Sequence, residues 1–430
     1  MINDPSMKND KFMRFRIDHI DKIEGHMGFE AALFDGRISE AFTEVIEGAR
    51  MIEGMVAGRP YEDIPIITAR ICGVCPVVHN LASIKALEAA LGIKVEKIVT
   101  LFRKLMLLGE IIQSHSLHIF FLSAPDFLGS TNDFDIIKKY PKEAEAAFLV
   151  RDFATNIMKT VGGRAVHPIA SEVGGFKILP DKRQLEEILK EAGEAMRAAK
   201  IIHKLISKIK FPQFNFEIRP ISLANNRYEF YDGEVVSGQG LKTTLQKFYS
   251  SIEELQKPKS PVKQTSLYKR HYLVGALARL LNQNQYLNKE ARQLFNGLPQ
   301  EKIKSNPFYN LIAQSIEVIH CIAEVEKIIK EIFALNIPRE SRQKIAPRAS
   351  EGLGAVEAPR GTLIHYYKLN KDGRIVDSNI ITPTAQFLND LDHSLRAYLG
   401  QVKYLPEMER AHKIKSLVRA YDPCISCATH

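Results

Sequence analysis

Two CxxC pairs at opposite ends of the chain constrain its fold more than any other feature. The first lies in Arg70-Ile71-Cys72-Gly73-Val74-Cys75-Pro76-Val77-Val78-His79. The second lies in the closing segment Asp422-Pro423-Cys424-Ile425-Ser426-Cys427-Ala428-Thr429-His430. A CxxC turn offers two thiolates to one edge of a metal, and two such turns can close a site. Zinc ribbons keep their pairs roughly 15–20 residues apart, whereas here hundreds of residues intervene. The spacing points to a buried functional centre that draws both extremities together, and so to one interwoven domain, 1–430.

Length alone would allow two or three domains and a substantial core. Five cysteines in 430 residues do not make a disulfide scaffold, so the pairs read as metal or redox ligands. The net charge of +9 is spread among acidic residues without a long basic tract. That argues against nucleic-acid binding and reads as solubility or a complementary protein partner. No run of about 18 apolar residues predicts a membrane span. The stretch from Met1 to Arg16 is polar, with no apolar signal region.

Along the chain, residues 13–46 alternate as β structure around an Asp35-Gly36 hairpin turn. A short helix is expected over 47–58, ending at Gly58. Pro76 opens the next helix, which stops at Gly92 and places Cys75 at its N-cap, where the helix dipole favours a thiolate. His79 lies on the same face as Cys75. Further helices are predicted over 95–121, 141–161, 181–210, 240–256, 270–295, 308–335 and 387–399. Gln113, Ser114, His115 and His118 interrupt the apolar face of the first of these. The Gly-rich 162–175 segment reads as a loop, 211–238 as short strands, and Lys257-Pro258-Lys259-Ser260-Pro261 as a link. A second hairpin spans 361–381 around Asp372-Gly373. The class is α+β, predominantly helical, with small β hairpins near each end.

The motifs RxCGxCxxxH and DPCxxCxxH together resemble those of the large, catalytic subunit of [NiFe]-hydrogenases, and intermediate landmarks extend the resemblance over essentially the whole chain. The resemblance implies the fold of that subunit and reversible oxidation of H2 to protons and electrons. It implies nickel held by Cys72, Cys75, Cys424 and Cys427, with Cys75 and Cys427 bridging to an iron that carries cyanide and carbon monoxide. Soft thiolates suit such a metal. His79 would hydrogen-bond a bridging cysteine. Ala358-Pro359-Arg360-Gly361 matches the segment that sets an arginine, here Arg360 after Pro359, over the iron. Asp422 matches the aspartate beside it, and an N-cap role before Pro423 is equally open. Ser114 stands where the family often has a second aspartate.

Ile23-Glu24-Gly25-His26 matches the segment whose glutamate, here Glu24, relays a proton from Cys424. Arg360 acting as the base, or as the partner of one, is the alternative. Glu53, His430 and the carbonyl of Ile380 match the ligands of a second, hard metal such as magnesium. His115, His118, His167 and Arg164 are open to either reading, pocket or core, and Cys321 matches no motif.

After the four nickel ligands only Cys321 remains, so an iron–sulfur cluster must sit on a separate small subunit. The Pro76-Val77-Val78-His79 segment, Ser114 and the compact length resemble the cytoplasmic branch, in which further subunits pass electrons to NAD(P), coenzyme F420 or sulfur compounds. The family's maturation protease and nickel-insertion chaperones are implied partners, and the chain ending at His430 reads as a processed form. Two rivals remain: a structural zinc scaffold, and the quinone-site subunit of complex I, which lacks the nickel cysteines.

Overall fold

The structure, a computed structural model, describes residues 12–130, 133–238, 240–256 and 260–430. The first residues of the polar N-terminal stretch and Lys257-Pro258-Lys259 of the predicted link lie outside the described residues.

The chain enters through an antiparallel sheet of β1 (Phe12–Ile17), β2 (Met27–Phe34) and β3 (Arg37–Val45), in that order. Phe15 and Ile17 face Ala31 and Phe29 across β1–β2, and all four side chains are buried. Asp35 and Gly36 both take positive φ, 48° and 71°, as a two-residue hairpin loop requires.

Helix α1 (Pro76–Leu91) begins and ends where expected, with Cys75 at its N-cap and Gly92 closing it at φ 72°. Its buried residues surround it, so it is a core helix rather than an amphipathic one. Helix α2 (Lys97–Leu117) continues into a wide π-helical turn, His118–Ser123. With α3 (Pro141–Gly162), α4 (Lys182–Ile206) and α6 (Asn310–Phe333) it forms a four-helix layer: α2 packs on α3 and α6, and α4 on the same two. The stretch Lys97–Leu128 is long and apolar enough to cross a membrane, but 83% of its most apolar window is buried inside the protein. Between α4 and α6 lies α5 (Ala276–Gln283).

The last sheet in the chain has three strands where a hairpin was expected: β4 (Ser350–Ala358), β5 (Gly361–Leu369) and β6 (Ile375–Ile381). Strand β4 lies flat against α1. Gly352 and Gly354 sit where any Cβ would run into the α1 backbone at Ala82, Ala86 and Ala90. Glycine weakens the intrinsic strand signal, and here close approach of a helix is what it makes possible. Helix α7 (Pro383–Val402) follows, capped by Thr382, and then α8 (Glu407–Ala420), which has no counterpart among the expected helices.

The expected 240–256 helix is confined to Leu245–Ser251. Ile252–Gln256 is a strand paired with Lys263–Leu267, so the basic link joins two strands. Of the Ile252–Gln256 strand only Ile252 is partly buried, so it has no apolar helical face to bury. The 270–295 region is two helices, Ala276–Gln283 and Lys289–Asn296, and the 47–58 helix shrinks to Ile52–Val56. The Gly-rich 162–175 loop contains a minimal strand pair, Ser171–Glu172 with Gly175–Phe176.

One contiguous hydrophobic cluster runs from Phe15 to Ala428 and takes in all four motif cysteines. The fit of α1 on β4 is open to test. Gly354→Ala should lower unfolding free energy by about 1–3 kcal/mol, read as a shift of the denaturation midpoint at constant slope. An unchanged midpoint would mean that the helix is free to retreat.

Candidate metal centre

Cys72 occupies extended backbone after the one-turn helix Ala69–Ile71, and its Sγ accepts the N–H groups of Val74 and Cys75 at 3.3 and 3.4 Å. Cys424 caps the closing turn Ile425–Ala428, and its N–H donates to Thr384 Oγ1 at 3.1 Å. The chain ends meet through backbone: Glu24 and Cys424 form a parallel bridge, and Ile425 N–H donates to Glu24 O at 2.9 Å. The four sulfurs lie within 4.8 Å of one another and all are buried. Cys72–Cys424 is 3.5 Å, Cys75–Cys427 3.2 Å and Cys424–Cys427 2.9 Å.

Arg50 stitches the two segments. Its Nη2 donates to Ile71 O at 2.6 Å and to Ser426 O, while its backbone N–H donates to Thr429 O at 2.7 Å.

Hydrogen bonds from Cys424, Cys427 and Cys75 push the Cys72 thiol well below its ordinary value. Cys75 is pushed well above it by its hydrogen bond with Cys424 and by burial. Burial raises Cys427 well above it too, and Cys424 to about 11. Cys75 itself makes no side-chain capping hydrogen bond to α1, and another group takes the free N–H donors there. Glu110 on α2, fully buried, accepts Val77 N–H at 2.6 Å and Val78 N–H at 3.0 Å. Four thiolates in so dry a site need cations to compensate them. Soft sulfur donors select a soft or borderline metal.

Arg360 lies in the two-residue loop closed by the Ala358–Gly361 pair of β4 and β5. Its Nε donates to Asp422 O at 2.8 Å and its Nη2 to Asp422 Oδ1 at 2.9 Å. The buried Nη1 has no hydrogen-bond partner among the described residues. Arg360 lines a small, mainly apolar cavity with Cys75, Cys424, Cys427, Pro359, Leu363, Pro383 and Thr384. A buried guanidinium N–H beside such a cavity fits a group bearing acceptor atoms. Asp422, at φ 54°, also accepts Gln314 Nε2 at 3.1 Å. The Gln314 Oε1 lies 2.6 Å from His118 Nδ1, and His118 Nε2 donates to Arg419 O at 2.7 Å.

Glu24 Oε2 is 3.1 Å from Cys424 Sγ and accepts Ser426 N–H at 2.9 Å; Oε1 accepts Ser426 Oγ–H at 2.5 Å. Glu53, His430 and Ile380 also come together. His430 Nε2 lies 2.9 Å from Ile380 O and 3.8 Å from Glu53 Oε1, which accepts Ile380 N–H at 2.7 Å. Burial pushes Glu53 up, but His430, the Ile380 N–H and Lys263 outweigh it and hold the carboxyl low.

His79 borders the cavity, yet its hydrogen bond differs from the cysteine contact that the resemblance implied. Nδ1 lies 3.3 Å from His365 Nε2, and His365 Nδ1 lies 2.7 Å from Tyr367 Oη. Strand β5 brings that histidine in, and burial drives His79 down to about 3, so the ring is neutral. His115 pairs with Glu317 at 2.8 Å, away from the sulfurs, and His167 binds Ala69 O at 2.9 Å, behind the first motif. Cys321 is buried in α6, and the buried Ser114 Oγ has no partner among the described residues.

Arg50, Glu110, Gln314 and Thr384 were not singled out in the sequence. Only Glu110 left a trace there, as a lone carboxyl within the apolar run of α2.

Four buried cysteines from two CxxC turns, with a guanidinium beside an adjoining cavity, define a protein with a site for a soft or borderline metal. The family model for nickel-dependent hydrogenases matches residues 50–155 and 222–430, and the chain belongs to that family as a large subunit. It is 30% identical to the alpha chain of sulfhydrogenase 2 from Pyrococcus furiosus over 97% of this chain and 99% of that one. It is also 30% identical to a component of the F420-non-reducing hydrogenase of Methanothermobacter thermautotrophicus, over 97% and 95%. The solved structure of an NAD+-reducing [NiFe]-hydrogenase in the H2-reduced state superposes with a TM-score of 0.88 at 29% identity, covering 97% of this chain and 99% of that one. The chain is thus a hydrogenase subunit whose clustered cysteines suit nickel and iron.

Burial raises Glu110 to about 8 against the two N–H bonds that lower it. An acid whose folded pKa is raised contributes stability that is complete below its unfolded pKa and is lost as pH rises through the folded one. Glu110 should therefore cost stability between about pH 4.5 and 8, with a slope of up to about 1.4 kcal/mol per pH unit. Glu110→Gln should flatten that part of the pH–stability curve in denaturant titrations. Parallel curves for the two proteins would refute it.

Proposed function

We propose that this chain is the catalytic large subunit of a [NiFe]-hydrogenase, interconverting H2 with protons and electrons. The observation that carries the reading is the convergence of the four buried sulfurs within 4.8 Å. Cys72, Cys75, Cys424 and Cys427 would together hold the nickel and the iron. The buried Arg360 Nη1, which has no acceptor among the described residues, would donate to a diatomic ligand of that iron, and this supports cyanide and carbon monoxide as those ligands. When bound, the centre supplies heterolytic cleavage of H2 and takes up the electrons.

The protein's own part is to manage protons and exclude water. Cys424 Sγ holds the proton, and Glu24, fixed by both donors of Ser426, removes it from 3.1 Å. Asp422 keeps the Arg360 head group charged and oriented, while Pro359, Leu363 and Pro383 keep the cavity dry. His79 serves as a neutral wall of that cavity, tied back to His365. In the alternative route Arg360 takes part in the proton transfer. Glu53, His430 and the Ile380 carbonyl would hold magnesium, and the hard oxygen donors among them support that choice.

Electrons leave to a separate iron–sulfur small subunit, since Cys321 alone remains beyond the four ligands. Further electron-transfer subunits linked to NAD(P) or sulfur compounds are supported by the names of two relatives, whereas the F420-linked option is not, because the relative named for F420 is a non-reducing one. We also assign the chain to the cytoplasm, to a maturation pathway with a protease and nickel-insertion chaperones, and to a single folding unit over 1–430.

Metal analysis should give nickel and iron near one each, with infrared bands of iron-bound cyanide and carbon monoxide. One zinc and no such bands would leave a scaffold instead. Cys424→Ser should abolish H2 turnover. Glu24→Gln should slow proton–deuterium exchange by about 100-fold at unchanged metal content; normal exchange would remove Glu24 from the proton route.

A further inference from the structure

Arg279 on α5 is fully buried, and each of its five N–H groups has an acceptor. Nε and Nη2 bind the two Glu317 oxygens at 2.7 Å each, and Nη1 binds Glu357 Oε2 at 2.9 Å. The other two reach main chain: Nη1 to Ala358 O at 2.8 Å and Nη2 to Pro359 O at 3.0 Å. Those carbonyls belong to the two residues immediately before Arg360.

Other groups hold this grip in place. Glu317 on α6 also accepts Tyr228 Oη–H at 2.6 Å and pairs with His115 of α2. Glu357 accepts Leu223 N–H at 2.7 Å and Thr362 Oγ–H at 2.6 Å. The Phe230 ring lies 5.1 Å beneath the guanidinium. Gly275, which opens α5 at φ 110°, presses so closely on Arg360 that a Cβ there would come within 2.9 Å of its carbonyl oxygen. The head group of Arg360 is therefore fixed by Asp422 and its backbone by the start of α5.

We propose that Arg279 is the positioning residue for Arg360, setting the height of the Arg360 guanidinium over the metal-bound diatomic ligands by clamping the Ala358 and Pro359 carbonyls. The assignment rests on the [NiFe] reading of the site. Lysine at this place carries the charge but has three donors radiating from a point, and cannot reproduce the planar fork. A guanidinium displaced by a fraction of an ångström from developing charge loses much of its effect.

The test compares Arg279→Lys in the natural enzyme and in an Arg360→Lys background, using the assembled hydrogenase. Arg279→Lys alone should lower kcat at least about tenfold and move the infrared bands of the iron-bound ligands, at unchanged nickel and iron content. In the Arg360→Lys background the same substitution should change kcat by less than about twofold, because its route of action is already gone. Glu317→Gln, which loosens the clamp without removing it, should move the same bands by less, and it decides the matter if Arg279→Lys fails to fold. Unmoved bands, or an equal loss in both backgrounds, would overturn the assignment and leave Arg279 as framework. Failure of both variants to fold would do the same. An unsubstituted enzyme without diatomic bands would overturn the site reading together with this one, whereas bands that ignore both substitutions overturn only the role of Arg279.

Discussion

Sulfur packed against sulfur in a dry interior is the constraint on which the remaining architecture depends. Neighbouring thiols hold Cys72 well below its ordinary value, while the other three are driven up. Charge on all four requires positive counter-charge at contact distance. The fold supplies part of it through Arg360, and the donor set leaves the rest to metal. Because the ligands come from both ends of the chain, everything between them serves to hold those ends still. The Glu24–Cys424 bridge and the Arg50 contacts do so locally, and the continuous apolar core does so globally.

Three buried polar arrangements stand behind the sulfurs, and they divide the task. Asp422 and Gln314 orient the head of Arg360 from the C-terminal side. Arg279 with Glu317 and Glu357 holds the loop from behind. Glu110 caps α1 and so fixes the helix whose N-cap is Cys75. Such groups are costly to bury and are stable only when each donor finds an acceptor. That requirement makes them rigid supports for a site where position matters.

Much of this was legible in the chain because the cysteine motifs carry their chemistry in their spacing. Pro76 and Gly92 bounded α1, and Asp35-Gly36 marked its hairpin, since each of those residues has a local conformational reason to be there. What escaped notice depends on tertiary contact. Strand β4 was hidden by Gly352 and Gly354, which are poor strand formers and useful only because α1 lies on them. Helix α8 and the Ile252–Gln256 strand lack a clear apolar period. Arg50, Thr384 and Gln314 are ordinary polar residues until folding brings them to the motif backbones. His79 kept its place near the sulfurs but found its partner in a strand far along the sequence.

The backbone contact between α1 and β4 has one more effect. Cys75 sits at the start of that helix and Arg360 at the tip of the hairpin that β4 forms with β5, so two rigid rods in direct touch carry them. A rigid shift of the pair moves the Cys75 sulfur and the Arg360 guanidinium together rather than independently. The spacing between sulfur and guanidinium is thereby set by one packing contact instead of by two separate loops.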